Sequence, residues 1–308
     1  MNPAWSVVLF TVVIGAAQGL VVPLACAALA AQPVSAAFAS TALLVAEAML
    51  IAGLGASFAH LGRPGRAWRA AMMWRTSWLS REVIVLPVFV GVVAVWWLAL
   101  GQDSSAPVLP LLALGLAVLL WYCTAMIYAC LRFIQEWSQP LLTLVNFTLT
   151  GLSSGLVLAS AMAAMTGEQG LLHVVAPAAL ALTMTALAAR ALAIRRNAVL
   201  QPRSTLQSAT GIASPRLAQL SMGMSAGSFN TREFFHGVTL RALRHVKHCA
   251  LLLGFAAPAL LLLWGMASGS ATAFVLALAV QAPGLLADRW FFFAQARHPQ
   301  NLYYQVVS

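Results

Sequence analysis

Residues 107–131 read Pro-Val-Leu-Pro-Leu-Leu-Ala-Leu-Gly-Leu-Ala-Val-Leu-Leu-Trp-Tyr-Cys-Thr-Ala-Met-Ile-Tyr-Ala-Cys-Leu. No side chain in the run is charged, and Arg132 follows at once. A helix rises about 1.5 Å per residue, so about 20 apolar residues cross the ~30 Å hydrocarbon core of a bilayer. Lipid offers the backbone no hydrogen bonds, so such a run spans as a helix that satisfies itself.

Working outward in both directions, the same pattern recurs near 6–31, 35–59, 81–100, 141–165, 171–194, 247–267 and 270–294. Breakers separate the runs: Gln32-Pro33, Gly62 to Pro64, Gly101 to Pro107, Gln139-Pro140, Gly167 to Gly170 and Ser268 to Ser270. Pro23, Pro87, Pro177, Pro258 and Pro283 fall inside runs, where neighbouring helices tolerate them in a membrane. The expected architecture is all-α, a polytopic membrane bundle of eight transmembrane helices forming one integral membrane domain over 1–308. Only the connection 195–246 is long enough to stand outside the bilayer. The start, MNPAWSVVLF, has no basic n-region and no clear cleavage site, and reads as a retained first helix.

Composition agrees. Of the 308 residues 61% are hydrophobic and 8% charged, with mean hydropathy +0.87. A soluble domain is roughly a quarter charged and needs that polar surface. The net charge of +10 does not signal nucleic acid, because the basic residues sit between spans. Arg63, Arg66, Arg69, Arg75 and Arg81 follow span 2, and Arg132 follows span 4. Arg190, Arg195, Arg196, Arg203, Arg216, Arg232, Arg241, Arg244 and Lys247 connect spans 6 and 7, and Arg289 and Arg297 follow span 8. With eight spans, all 17 fall on one face. The positive-inside rule then puts both termini in the cytoplasm. The four cysteines, Cys26, Cys123, Cys130 and Cys249, form no CxxC and read as small buried hydrophobes.

The densest polar constellation surrounds the span 2–3 connection, from Phe58-Ala59-His60-Leu61-Gly62-Arg63-Pro64 to Trp74-Arg75-Thr76-Ser77-Trp78-Leu79-Ser80-Arg81-Glu82. Ser80 is the expected N-cap of span 3, with Glu82 in the first turn, where the helix dipole favours a carboxylate. His60 closes span 2, so His60 and Glu82 reach similar depth. Two readings fit. The pair can exchange protons with a lipid-soluble quinone. Equally, Glu82 is a capping residue and His60 a helix-terminal side chain among snorkelling arginines.

Glu47 lies mid-span, where a carboxylate is either functional or paired. Glu136 is placed to pair with Arg132 at i,i+4, and Asp288 with Arg289 as an interfacial pair. The histidines, His60, His173, His236, His245, His248 and His298, offer no facing mid-span pair, so no haem is expected. A small-solute transporter would concentrate polar groups at the midplane, and here Glu47 is the one clear mid-span charge.

The motif His60-Leu-Gly-Arg-Pro-x-Arg-Ala-Trp-Arg69 followed by Trp74-Arg-x-Ser-Trp-Leu-Ser-Arg-Glu82 resembles the signature of the dimethyl sulfoxide reductase anchor subunit family, related to polysulfide reductase anchors. The start Asn2-Pro-Ala-Trp-Ser-Val7, then 131–137 (Leu-Arg-Phe-Ile-Gln-Glu-Trp), 144–149 and 230–237 resemble the anchor of the cytoplasmic sulfite-oxidising, sulfite:quinone branch. The resemblance implies an eight-helix anchor that is not itself an enzyme, beside a molybdopterin catalytic subunit and a four-cluster ferredoxin-like iron–sulfur subunit. It also implies a quinone, ubiquinone or menaquinone, as the electron acceptor. The expected quinone-binding residues are His60, Glu82, Arg63, Arg81 and Trp78. Arg66, Arg69 and Arg75 are the expected docking residues, and Glu47 and Glu136 stay as further candidates. An anchor running the flow in reverse, from quinol to a sulfoxide or sulfur compound, is the alternative.

Overall fold

The computed structural model describes residues 1–31, 34–59, 61–100, 107–221 and 233–303. Gln32, Pro33, His60, the turn 101–106, the stretch 222–232 and residues 304–308 lie outside the described residues. His60 is therefore not placed, and neither are Asn230, Thr231 and Arg232.

Eight helices are long and apolar enough to cross a membrane: α1 Trp5–Leu29, α2 Ala36–Phe58, α3 Trp78–Ala99, α4 Val108–Ala129, α5 Pro140–Thr166, α6 Gln169–Ala198, α7 Leu240–Ser268 and α8 Ala271–Ala294. The described residues contain no strand, and the chain is a multi-pass membrane protein. Ser35 caps α2, its Oγ accepting from Phe38 N at 3.2 Å. The C-cap glycines Gly167 and Gly269 close α5 and α7 with φ of 77° and 67°, the left-handed conformation that suits glycine.

Three helix starts and ends depart from the hydropathy reading. Helix α3 begins at Trp78, and Ser77, not Ser80, is its N-cap, accepting from Ser80 N at 3.3 Å. Glu82 consequently sits in the second turn, past the exposed backbone N–H groups, and the expected capping role falls away. Helix α6 continues to Ala198 and α7 starts already at Leu240, where Thr239 Oγ1 accepts from Ala242 N at 3.2 Å. Hydropathy stops early at both because Arg195, Arg196, Arg241, Arg244 and Lys247 are helical, yet long cationic side chains can lie along a helix and keep their heads in water. Within α7 the turn Leu252–Ala256 widens to a π-helix just before Pro258. Proline has no N–H to give and its ring clashes with the carbonyl four residues back, which a widened turn accommodates.

Helices α1 and α5 form the centre. Helix α1 touches α2, α4, α5 and α8, while α5 also carries α6. Lipid gives apolar helices no hydrophobic reason to associate, so close backbone approach at small residues matters. A Cβ on Gly155 would lie 1.8 Å from the Gly19 carbonyl carbon, and one on Gly19 would lie 1.9 Å from Gly151 O. The α7–α8 contact repeats the device, since a Cβ on Gly284 would lie 2.1 Å from Gly254 N. Around this centre run Leu20, Leu43, Leu50, Phe38, Phe89 and Leu120, all fully buried. The outer face carries exposed Leu44, Ile51, Val88, Val95, Val118 and Leu192. Cys123 is buried, but Cys26, Cys130 and Cys249 are exposed, contrary to the expectation of four buried cysteines.

Candidate functional site

The segment after α2 folds as a 3₁₀ helix, Pro64–Met73, with Pro64 at its first position and no buried residue. Its outer surface shows Arg63, Arg66, Arg69, Trp68 and Met72, and Arg75 and Trp74 continue it. The Arg69 and Arg75 guanidiniums lie 5.6 Å and 5.5 Å from the Trp68 and Trp74 ring centres. The exposed arginines of this surface, two of them held beside indoles, are suited to meet an anionic partner.

Arg81 does something different. Its Nε donates to Trp74 O and its Nη2 to Arg75 O, both at 2.9 Å, tying the 3₁₀ segment to the first turns of α3. The same guanidinium lies 4.0 Å over the Trp78 ring, and Trp78 meets Tyr122 of α4 edge-on at 5.1 Å. One residue further on, the chain turns inward. Glu82 is 5% exposed and its Oε1 accepts from Thr124 Oγ1 of α4. A carboxyl group this buried is costly unless hydrogen-bonded, and the Thr124 hydroxyl supplies that bond. The structure therefore brings together Glu82, Arg81 and Trp78, and adds Thr124 and Tyr122, which sequence reasoning misses. Nothing local marks Thr124, because one threonine in an apolar span is ordinary.

The other candidates stand apart from this cluster. Glu47 is half-buried in α2, and its Oε2 is buried with no hydrogen-bond partner among the described residues. Glu136 does not pair with Arg132. The segment after α4 forms turns instead of helix, so the i,i+4 geometry is absent, and Glu136 Oε2 accepts from Arg297 N at 3.4 Å. Glu136 also faces the Met1 ammonium, which donates to Ala296 O at 2.9 Å and whose pKa burial lowers to about 6.

Asp288 and Arg289 are not an interfacial pair. Asp288 bonds Arg190 instead, Oδ1 to Nε at 2.5 Å, with both side chains buried between α6 and α8. The charge count groups Arg190 with the span 6–7 connection and Arg289 with the C-terminal end, although both fall inside the apolar runs 171–194 and 270–294, and in the structure both are buried within helices. Arg289 lies 3.8 Å over the Phe147 ring, and its Nε has no hydrogen-bond partner among the described residues. The sequence does carry a signal for this, since Arg190 and Asp288 each interrupt an apolar run, and charges inside spans are costly enough to demand partners.

Between α1, α4, α5 and α8, behind Thr124, lies an internal cavity of about 20 Å³ lined by Thr11, Gln18, Trp121, Thr124, Ser154 and Arg289. Gln18 Nε2 donates to Ala117 O at 2.9 Å. The Trp121 Nε1 donor has no partner among the described residues.

Comparison with known proteins adds two findings. Residues 1–277 match the family model described as DMSO reductase anchor subunit (DmsC). A sulfite dehydrogenase subunit from Allochromatium vinosum is 46% identical over 327 aligned positions, covering the whole of both chains.

Proposed function

Because this chain belongs to the DMSO reductase anchor subunit family, and is a membrane anchor subunit related to sulfite dehydrogenase and DMSO reductase systems, we propose that it is the quinone-reactive anchor of a sulfite-oxidising complex. The choice of sulfite rests on the full-length similarity to a sulfite dehydrogenase subunit. In this reading sulfite is oxidised on a molybdopterin subunit. Two electrons pass through a four-cluster ferredoxin-like iron–sulfur subunit to ubiquinone or menaquinone, which takes up two protons. The chain itself binds neither haem nor metal.

The residues at the basic end of α3 suit a quinone. Glu82 offers a proton-exchanging carboxyl, buried and hydrogen-bonded to Thr124. The Trp78–Tyr122 pair and exposed Leu79 give an apolar, aromatic approach from the bilayer. Arg81 fixes that approach by holding the preceding loop. Arg63 joins the proposed quinone set from the loop side, and His60, outside the described residues, belongs to it through the family motif, with a hydrogen bond to the quinone oxygen as its role. Arg66, Arg69 and Arg75 form the proposed docking face for the iron–sulfur subunit. Glu47 and Glu136 rank behind Glu82 as sites of proton exchange.

Purification of the tagged chain tests the assembly. Molybdopterin and iron–sulfur subunits should copurify, identified by mass spectrometry, and the preparation should reduce quinone with sulfite. Quinol-driven reduction of dimethyl sulfoxide, with no sulfite activity, would instead support the second reading that the family description offers.

The orientation proposed is a single integral domain in a bacterial inner membrane, with both termini cytoplasmic. Its support is the gathering of loop arginines at one end of the bundle. Reporter fusions at Arg69 and Pro215 should read cytoplasmic, and fusions at Gly167 and Gly269 extracytoplasmic. The reverse pattern would put the soluble subunits on the other side of the membrane.

A further inference from the structure

We propose that the cavity behind Thr124 is a built hydration site, in which one water locks the Thr124 hydroxyl onto Glu82. Its volume, about 20 Å³, exceeds the roughly 10–15 Å³ that one water needs. Its polarity is equally specific. Trp121 Nε1–H and Arg289 Nε–H are both buried donors without partners among the described residues, and both residues line the cavity. An orphaned buried donor is costly, more so when charged, so two of them on residues that line one water-sized space call for a single acceptor. Water fits that role, accepting from both nitrogens and keeping two protons to donate.

Acceptors for those protons line the cavity, the Gln18 amide oxygen and the hydroxyl oxygens of Thr124, Thr11 and Ser154. Thr124 Oγ1 already donates to Glu82 Oε1, so its free lone pairs can only accept. Thr11 and Ser154 are in the same position. The Thr11 hydroxyl donates to Val7 O at 2.9 Å, and the Ser154 hydroxyl donates to Gly151 O at 2.9 Å. A water donating to Thr124 fixes the direction of the whole chain: Trp121 and Arg289 to water, water to Thr124, Thr124 to Glu82. Arg289, on α8, thereby acts on Glu82, on α3, without touching it, and is a positioning residue. This consequence rests on the quinone reading of Glu82, whereas the hydration site itself does not.

The intact complex supplies the test. A cryo-EM map fine enough to show other ordered waters should contain a peak within hydrogen-bond distance of both Trp121 Nε1 and Arg289 Nε. Pulsed X-ray hydroxyl-radical labelling should oxidise Trp121 several-fold more than Trp96, which is also buried but sits in the apolar core. Gly15 lines the cavity, and a Cβ there meets only Gly151 Cα at 3.8 Å. Gly15→Ala should therefore assemble, displace the water and bring Trp121 labelling down to the Trp96 level. An empty cavity in the map, or Trp121 labelled no more than Trp96 in the unmodified protein, overturns the site. For the link to Glu82, Thr124→Val should slow quinone-linked turnover and Thr124→Ser restore it. Equal turnover in both would overturn the link. Normal turnover in Glu82→Gln would sink the quinone reading and leave the map peak and the labelling unchanged.

Discussion

Glu82→Gln is expected to slow sulfite-dependent quinone reduction by about a hundredfold, the lower range for losing a general acid–base group. The substitution keeps the shape and the acceptor for Thr124, so the bundle should assemble as before. Only proton exchange is removed. Sulfite oxidation with an artificial dye should survive, because that chemistry is on another subunit. His60→Ala should act in the same direction, through loss of a hydrogen bond to the quinone oxygen. Glu168→Gln is the control. Glu168 accepts from Ser35, joining the starts of α6 and α2 at the other end of the bundle, and glutamine keeps that acceptor. Full quinone-linked turnover in an assembled Glu82→Gln complex would move the site elsewhere, with Glu47 the next carboxylate to replace.

Gly155→Val should cost the fold itself. A Cβ at this position would overlap Gly19 C at 1.8 Å and Leu20 N at 2.2 Å. Both are backbone atoms of the central helix, so no rotamer change relieves the clash. Ordinary overpacking costs about 1–3 kcal/mol because side chains give way, and here α1 and α5 must separate, so the loss should exceed that range. Size-exclusion profiles of the detergent-solubilised chain should show aggregate in place of a monodisperse peak. Gly115→Ala, where a Cβ meets nothing within 4 Å, should behave like the unmodified protein. A monodisperse Gly155→Val would mean that the α1–α5 seam is looser than its backbone contacts imply.

These two expectations draw on different kinds of information. Eight apolar runs separated by breakers are enough to give eight membrane helices, because the bilayer imposes one length and one hydrogen-bonding rule on every span. The family is also directly readable, since the motif from His60 to Glu82 is local and contiguous. Helix ends are less legible. Hydropathy does not say that Arg195 or Arg244 is helical, or that Ser77 outcompetes Ser80 as a cap, because both outcomes depend on where the backbone turns.

What the sequence determined by itself, then, is the span count, the gathering of most arginines in or beside alternate connections and the family. Each of these follows from composition within a single segment. Only the tertiary structure decided which partners buried groups receive. Gly15, Gly19, Gly151 and Gly155 are visible as two Gly-x-x-x-Gly pairs, yet nothing local says that they face each other. Asp288 has Arg289 as its neighbour in the chain and Arg190 as its partner in space. Glu82 finds Thr124 across α3 and α4. The reason is physical: a charge or donor taken out of water must be satisfied by whatever the helix packing brings within about 3 Å, and that is fixed only when all the helices have met.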